Sequence, residues 1–270
     1  MTSPSRFSAR QVAMLKEMGV PIWQAPWAPS SSDVSEEVST PTATSVRPPT
    51  SPPAASPPAP AKVEAPVVLA RDVSTLQWPE LEAAVASCQA CGLSQSRTQT
   101  VFGVGARRAQ WMVVGEAPGE QEDLTGEPFV GAAGQLLDQM LRSMGLTRAD
   151  DITRDTTRDP KQQVYIANTL KCRPPRNRNP ERSELERCEP FLVRQIALVQ
   201  PKVILAMGRF AVQALLRTDE AIGKLRGRVH HYQGVPLIVT YHPAYLLRNL
   251  TDKAKAWEDL CLAMDTFNLS

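Results

Sequence analysis

No run of the roughly 18 to 20 apolar residues needed by a membrane-spanning helix occurs in this 270-residue chain, so it is not expected to cross a bilayer. It opens without the charged, apolar and small-residue pattern of a secretory leader, and the expectation is a soluble, cytoplasmic protein. Strong charge of one sign is also missing: 30 Lys and Arg against 28 Asp and Glu leave +2, too little to argue for nucleic acid without local patches. Histidine is scarce, at three residues: His230, His231 and His242. Five cysteines are too few for a disulfide scaffold of this length. Their spacing says more. Cys88 and Cys91 form a C-x2-C, and Cys172 and Cys188 follow far downstream, which in a reducing compartment reads as ligation before disulfides. The residues alone give only a tetrathiolate site, which zinc or an iron–sulfur cluster would satisfy equally. Cys261 shares an apolar stripe with Trp257, Leu260 and Met264 and reads as core.

Proline is abundant, but ten of the 24 prolines fall between Pro29 and Pro66, where Ser, Thr and Ala dominate and no aromatic residue occurs from 28 to 77. Such a stretch cannot bury enough apolar surface to offset its ordering entropy, so residues 28–70 are expected to be an extended linker. Before it, residues 1–27 hold a short amphipathic pattern with Val12, Leu15 and Met18 on one face and Gly19 as a stop. That segment reads either as a helix docked on its own domain or as a tethered docking peptide. The folded unit is expected over residues 71–270.

Helices are predicted at 78–87, 132–144, 181–199, 209–216 and 252–267. Short, almost wholly apolar strands are predicted at 111–114, 164–167, 203–206 and 237–240. Brief apolar strands alternating with helices imply an α/β protein with a parallel sheet covered on both faces, a three-layer α/β/α sandwich around a mainly parallel four-stranded sheet. In such folds chemistry collects beyond the carboxyl ends of the strands.

Those ends carry the informative residues. After the first strand comes GEAPGEQEDLTGEPFVGAAG, with Glu116, Glu120, Glu122 and Asp123 closely spaced among glycines. After the second comes Asn168-Thr-Leu-Lys-Cys, after the third Met207-Gly208-Arg209, and after the fourth Tyr241-His-Pro-Ala-Tyr-Leu-Leu-Arg248. Neither G-x-G-x-x-G nor a P-loop is present, and a cradle packed with acids would repel phosphate. Taken singly, Phe129 reads as core packing, Asn168 as a turn residue and Leu246 and Leu247 as helix-start leucines.

Together, GEAPGEQED…GEPFVGAAG, NTLKC and YHPAYLLR, with C-x2-C upstream and the Cys172/Cys188 pair, resemble the family 4 uracil-DNA glycosylases, the iron–sulfur members of that superfamily, from about Cys88 to Arg248. The resemblance implies a monofunctional enzyme that everts a uracil nucleotide from DNA, hydrolyses its N-glycosidic bond and leaves an abasic site for base excision repair. It implies a uracil pocket of Glu116, Ala117, Phe129, Asn168 and His242. Phe129 would stack on the base, Asn168 would read its edge, and His242 would bond O2 as charge develops. Glu122 is expected to orient water or stabilise the sugar cation, and Glu116 to shape the pocket with the backbone of Ala117. In the best-known relatives an aspartate stands at position 117, which leaves the water-activating group open.

Lys171, Arg173, Arg176 and Arg178 are expected to track the DNA backbone, with Gly208 and Arg209 approaching phosphate. Leu246 and Leu247 would wedge the vacated stack, flanked by Tyr245 and Arg248. A [4Fe–4S] cluster on Cys88, Cys91, Cys172 and Cys188 is implied, with zinc as the alternative occupant. His230 and His231, near a basic Lys224–Arg228 run, read as surface or phosphate contacts. A related group captures DNA through a histidine in a loop after the asparagine motif. Residues 171–181 hold no histidine, so turnover is expected. No lysine matches a Schiff-base position, so strand cleavage is not.

Outside the match, Leu15-x-x-Met18-Gly19-Val20-x-x-Trp23 is similar to the amino-terminal peptide of the bacterial clamp-loader psi subunit, which implies replisome contact through residues 7–27. A monomer is expected. Two other readings remain open: a cluster-bearing DNA-binding or replisome accessory protein without glycosylase activity, and a zinc-stabilised nucleotide hydrolase.

Overall fold

The computed structural model describes residues 72–148 and 159–269, so the expected amino-terminal helix and linker lie outside the described residues. The core is a six-stranded sheet of β1 (Val104–Gly105), β2 (Trp111–Gly115), β3 (Val164–Asn168), β4 (Val203–Met207), β5 (Val229–Tyr232) and β6 (Val235–Thr240), in the order β1-β3-β2-β4-β6-β5. The inner four strands are the four expected, and they run parallel. The expected strand count is corrected from four to six, because β1 and β5 add antiparallel edges. Both edges lacked a readable signal: β1 has two residues, and β5 reads Val-His-His-Tyr, with no buried residue.

Every residue of β2, β3 and β4 is buried, which is why these strands read as unbroken apolar runs. Their side chains alternate between two cores. Val113, Ile166, Leu205 and Ile238 face one, closed by α3 (Ala132–Ser143) through Leu137 and Met140 and by α8 (Lys253–Leu269) through Trp257 and Leu260. Met112, Ala167, Ile204 and Val239 face the other, closed by α4 (Arg182–Val199) through Leu192 and Ile196 and by α5 (Arg209–Leu216) through Val212 and Leu215. The three-layer sandwich is as expected. A third, smaller cluster seats α1 (Trp78–Ala86) on α4 through Leu81, Val85 and Phe191.

The chain leaves β2 for β3 on one side and then returns to β4 on the other. Splayed connections at such a reversal open a crevice beyond the strand ends. Short elements line it: α2 (Glu120–Thr125) after β2, α6 (Ile222–Leu225) before β5, and α7 (Pro243–Leu246) after β6.

One buried ion pair fixes the far side of the sheet. Asp259 on α8 is fully buried, and its carboxylate accepts from Arg226 Nε at 3.1 Å and from the Gly227 amide at 3.1 Å. The Arg226 guanidinium also lies 5.9 Å over the Tyr241 ring, one residue before His242. Asp259→Ala leaves both donors without their acceptor, and we expect it to cost about 3–5 kcal/mol in urea unfolding. A loss under 1 kcal/mol would show the pair to be dispensable.

Candidate active site

The strand ends open into a cleft of about 900 Å³ whose walls include Glu116, Ala117, Glu122, Phe129, Asn168 and His242, every expected member of the pocket. Glu116 and Ala117 follow β2, Asn168 ends β3, Gly208 follows β4, and His242 follows β6. Arg178, Arg209, Tyr245 and Arg248 line it too, together with Tyr241 and Asn177, which sequence reasoning did not single out.

Gly115 and Asn168 are register partners on adjacent strands. A Cβ on Gly115 would lie 2.4 Å from Asn168 Oδ1 and 2.5 Å from Phe129 Cζ, so the missing side chain lets an amide and an aromatic ring crowd one corner. Asn168 is 3 % exposed, and its Oδ1 has no hydrogen-bond partner among the described residues. Leaving a buried acceptor unmatched costs about 1–3 kcal/mol, so this oxygen is primed for a donor brought by a ligand.

Phe129 is held in the left-handed region at φ +56°, which a bulky residue adopts only under constraint. Two features supply it. Arg148 Nη1 donates to the carbonyls of Pro128 (2.9 Å) and Phe129 (3.0 Å), while its Nε and Nη2 bind Asp138 at 2.8 and 2.5 Å. A Cβ on Gly134 would stand 1.6 Å from the Phe129 carbonyl oxygen, so α3 can approach only with glycine there. The Phe129 ring is stacked on His242, with centroids 5.4 Å apart and planes 26° apart.

His242 caps α7 by accepting the Ala244 amide on Nδ1 at 3.2 Å. Burial pushes its imidazolium down to about 4, with Arg248 adding to the shift and Glu122 opposing it. The ring is therefore neutral at pH 7, and with Nδ1 committed as acceptor its proton sits on Nε2. Gly208, at φ +90°, makes room for it: a Cβ there would lie 3.0 Å from His242 Cβ.

The two glutamates divide their work. Glu122 Oε2 accepts from the Gly119 amide at 3.0 Å, and Oε1 accepts from the amides of Val130 (3.1 Å) and Gly131 (3.4 Å). Its carboxylate thus ties the start of α2 to the turn after Phe129. Glu116 has no side-chain hydrogen bond among the described residues, and burial pushes its carboxyl up to about 7. Its backbone carbonyl accepts from Leu170 N at 3.1 Å and from the Thr169 hydroxyl.

Two expected DNA contacts are corrected. Lys171 is 1 % exposed, with its ammonium bonded inside the protein, so it cannot reach a phosphate. Leu246 is fully buried in the core against α3 and α8, leaving Leu247, 41 % exposed, as the candidate wedge. The remaining basic residues are partly committed. Arg178 forks onto Glu184 at 2.6 and 2.9 Å, and Arg173 bonds Asn177 Oδ1 at 2.8 Å and Glu120 at 3.4 Å. Tyr245 stacks on Tyr241 at 5.0 Å and donates to Asp252 at 2.7 Å. His230 and His231 lie on β5, where His230 Nε2 donates to the Leu225 carbonyl at 2.7 Å, and neither lines the cleft.

Cys88, Cys91, Cys172 and Cys188 line one small cavity behind the cleft, while Cys261 packs at the edge of the core. Cys88, Cys91, Cys172 and Cys188 are free thiols. The cavity holds no acid and no histidine, but Arg97, Lys171 and Arg187 line it, a setting that suits an anionic tetrathiolate group. Arg97 Nη1 donates to Cys172 Sγ at 3.1 Å, and the Lys171 amide to Cys188 Sγ at 3.3 Å. Burial raises the thiols of Cys91 and Cys172 and pushes Cys188 up to about 12, so the dry cavity favours neutral thiols until a cation binds. Among the described residues no three Cys, His, Asp or Glu side chains form a group that could hold a single metal ion. Also among them, no helix is long and apolar enough to cross a membrane.

Residues 102–261 match the family model for the uracil DNA glycosylase superfamily. The chain is 44 % identical over 171 residues to the Type-4 uracil-DNA glycosylase of Archaeoglobus fulgidus, covering 60 % of this chain and 79 % of that one. It is 39 % identical to the Type-4 enzyme of Pyrobaculum aerophilum, covering 68 % and 91 % of the two chains. To the Type-4 enzyme of Thermotoga maritima it is 41 % identical, covering 63 % and 83 %. With the strand-end residues gathered in one cleft, the chain belongs to the uracil DNA glycosylase superfamily and, within it, to the Type-4 uracil-DNA glycosylases.

Proposed function

We propose that this protein is a monofunctional uracil-DNA glycosylase that excises uracil for base excision repair, and that the unpartnered, buried Oδ1 of Asn168 in the cleft is the observation that carries the assignment. Uracil's N3–H is a donor that matches this acceptor, whereas cytosine presents a bare N3 there and leaves the oxygen unsatisfied. Phe129, fixed by Arg148 and Gly134, supplies an apolar face for the everted ring.

As the C1′–N1 bond breaks, its electron pair moves onto the base. The neutral His242 donates Nε2–H toward O2 from a position set by its Nδ1 bond to Ala244. The deoxyribose becomes cationic at C1′, and water attacks that carbon and gives up a proton. Glu116, whose carboxyl has no competing hydrogen bond, takes the water-orienting and proton-accepting role in this reading. Glu122 holds the loop while its charge stabilises the positive charge that builds on the sugar. The products are uracil and an abasic site. Lys171 is the buried lysine nearest Asn168 in sequence and does not line the cleft, which accords with base release without strand cleavage.

The four cysteines would hold a [4Fe–4S] cluster. Four soft thiols lining one cavity, with no acid or histidine among its walls, support it. Cys172 in the loop after β3, Cys88 and Cys91 beyond α1, and Cys188 on α4 would hold it, and it would supply a structural link between those segments. The catalytic unit is residues 71–270, acting as a cytoplasmic monomer, and the sequence of residues 7–27 supports a docking segment for a replisome partner, joined through residues 28–70. The accessory-protein reading would not require the full set of Glu116, Phe129, Asn168 and His242 to meet in one cleft, as they do.

Incubation with a uracil-containing oligonucleotide followed by alkali tests the assignment; binding without alkali-labile sites would leave only the accessory reading. In that assay kcat should rise with pH through about 7 as Glu116 ionises, with no limb from His242, which is neutral above about 4. Glu116→Gln should be slower and lose that limb; an unchanged profile would remove Glu116 from the chemistry. Raised above its unfolded value of 4.5, the Glu116 carboxyl contributes stability that is lost as pH rises toward about 7, so Glu116→Gln should flatten that decline. Gly115→Ala should cost on the order of 10²-fold in uracil release, the scale of an ångström-size misplacement, with little loss of oligonucleotide binding. Equal activity would mean that the corner tolerates a methyl group. Leu246→Ala should destabilise the fold by about 2–5 kcal/mol, while Leu247→Ala should keep wild-type Tm and lose activity on duplex more than on single strands. The reverse pattern would return the wedge to Leu246.

A further inference from the structure

A buried lysine normally has a charged partner, yet among the described residues no carboxylate lies within ion-pair distance of Lys171, which is 1 % exposed. Instead its ammonium donates to the Asn168 backbone carbonyl at 2.8 Å and to Gln195 Oε1 at 2.6 Å. Gln195, fully buried on α4, donates onward to the Phe102 carbonyl at 2.9 Å and to the Tyr165 hydroxyl on β3 at 3.1 Å. The backbone of Lys171 is equally committed. Its amide donates to Cys188 Sγ at 3.3 Å, and its carbonyl accepts from the Val101 amide at 2.8 Å.

We infer that Lys171 is a positioning residue for base reading: by holding the Asn168 carbonyl it sets the aim of the Asn168 side chain, and through its amide it links that aim to the Cys188 position. Asn168 is the last residue of β3, where the ladder ends. Beyond it, Thr169 and Leu170 donate to the carbonyls of Gly115 and Glu116 and hold the outgoing chain against β2. Those bonds leave the carbonyl of Asn168 itself without a strand partner on that path. The Lys171 ammonium fills this place, and a cation bonds a carbonyl more strongly than a neutral donor does. An amide side chain whose backbone can rotate would lose the single orientation in which Oδ1 meets a pyrimidine N3–H. The cysteine cavity and the base-reading corner therefore share one residue.

The inference rests on the glycosylase reading for its consequence, but the linkage has its own readout. Lys171→Met keeps the alkyl length and removes the donors. In cluster-loaded protein it should weaken binding of free uracil, read by calorimetry, roughly tenfold, the scale of one lost hydrogen bond, while visible cluster absorbance stays at the wild-type level. The NMR resonance of the Asn168 side-chain amide should shift, whether or not uracil is released. An unshifted resonance with unchanged uracil affinity would overturn the inference. So would weakening that only tracks loss of cluster absorbance. A wild-type protein that neither binds nor releases uracil would instead overturn the glycosylase reading, and the resonance would still decide the linkage. If Lys171→Met does not fold, Gln195→Met, which frees the ammonium from α4, carries the same test: a smaller shift in the same direction supports the role, and none rejects it.

Discussion

A buried carbonyl oxygen without a donor is the constraint around which this site is organised. Asn168 Oδ1 sits in a corner where water is displaced by Phe129 and by the bare Cα of Gly115. The fold tolerates that cost because the rest of β3 is tied into the centre of a fully buried sheet. Everything close by restricts how the oxygen can be satisfied. The ring of Phe129 closes one side, His242 is stacked on that ring, and the Lys171 ammonium bonds the backbone carbonyl. In the proposed reaction, selectivity follows from an energy already present in the free protein, since only a base that brings a donor recovers it.

The loop that carries Phe129 shows how a strained conformation is kept. A phenylalanine at φ +56° needs outside support, and it comes from opposite ends of the loop. Glu122 grips the amides of Val130 and Gly131 from the amino-terminal side, and Arg148 grips the carbonyls of Pro128 and Phe129 from beyond α3. An anion on donors and a cation on acceptors clamp the same four residues. This explains why an acid expected to act on water has its oxygens occupied, and why the proposed reaction gives the water-orienting role to Glu116, whose carboxyl does not share that task.

The inner sheet and its helices were legible because burial on both faces forces unbroken apolar strands, as in Trp111–Val114 and Val203–Ala206. The edges were not, because β5 exposes His231 and β1 is too short to carry a pattern. The pocket residues were legible only as a set. Each of Phe129, Asn168 and His242 has a bland reading alone, and their common place beyond strand ends, within motifs that occur together, made the difference. Lys171 misled because a positive charge beside Arg173 and Arg176 looks like surface, and nothing local reveals that Asn168 and Gln195 enclose it. Leu246 and Leu247 are adjacent and chemically identical, so only the direction of each side chain from α7 separates core from solvent. Arg148 carried no signal of its role at Phe129, since the backbone carbonyls it holds there lie 19 and 20 residues away.

The electrostatics of the cleft answer a conflict built into the reaction. Sugar chemistry needs negative charge beside C1′, but the substrate arrives as a polyanion, and a cleft lined by Glu116, Glu122, Asp219 and Glu220 would repel it. Three features relieve the conflict. Glu122 spends its charge on three amides. Glu116 is buried enough to carry a proton near neutral pH and so presents less charge to incoming phosphate. Arg209 and Arg248 also line the cleft. Lys171 is turned inward and Arg178 is paired to Glu184, so two of the expected phosphate contacts are spent inside the protein, while Arg176 stays exposed. In the proposed reaction, discrimination comes from what the base meets after it leaves the stack, which puts the burden on the Asn168 oxygen and the neutral imidazole of His242.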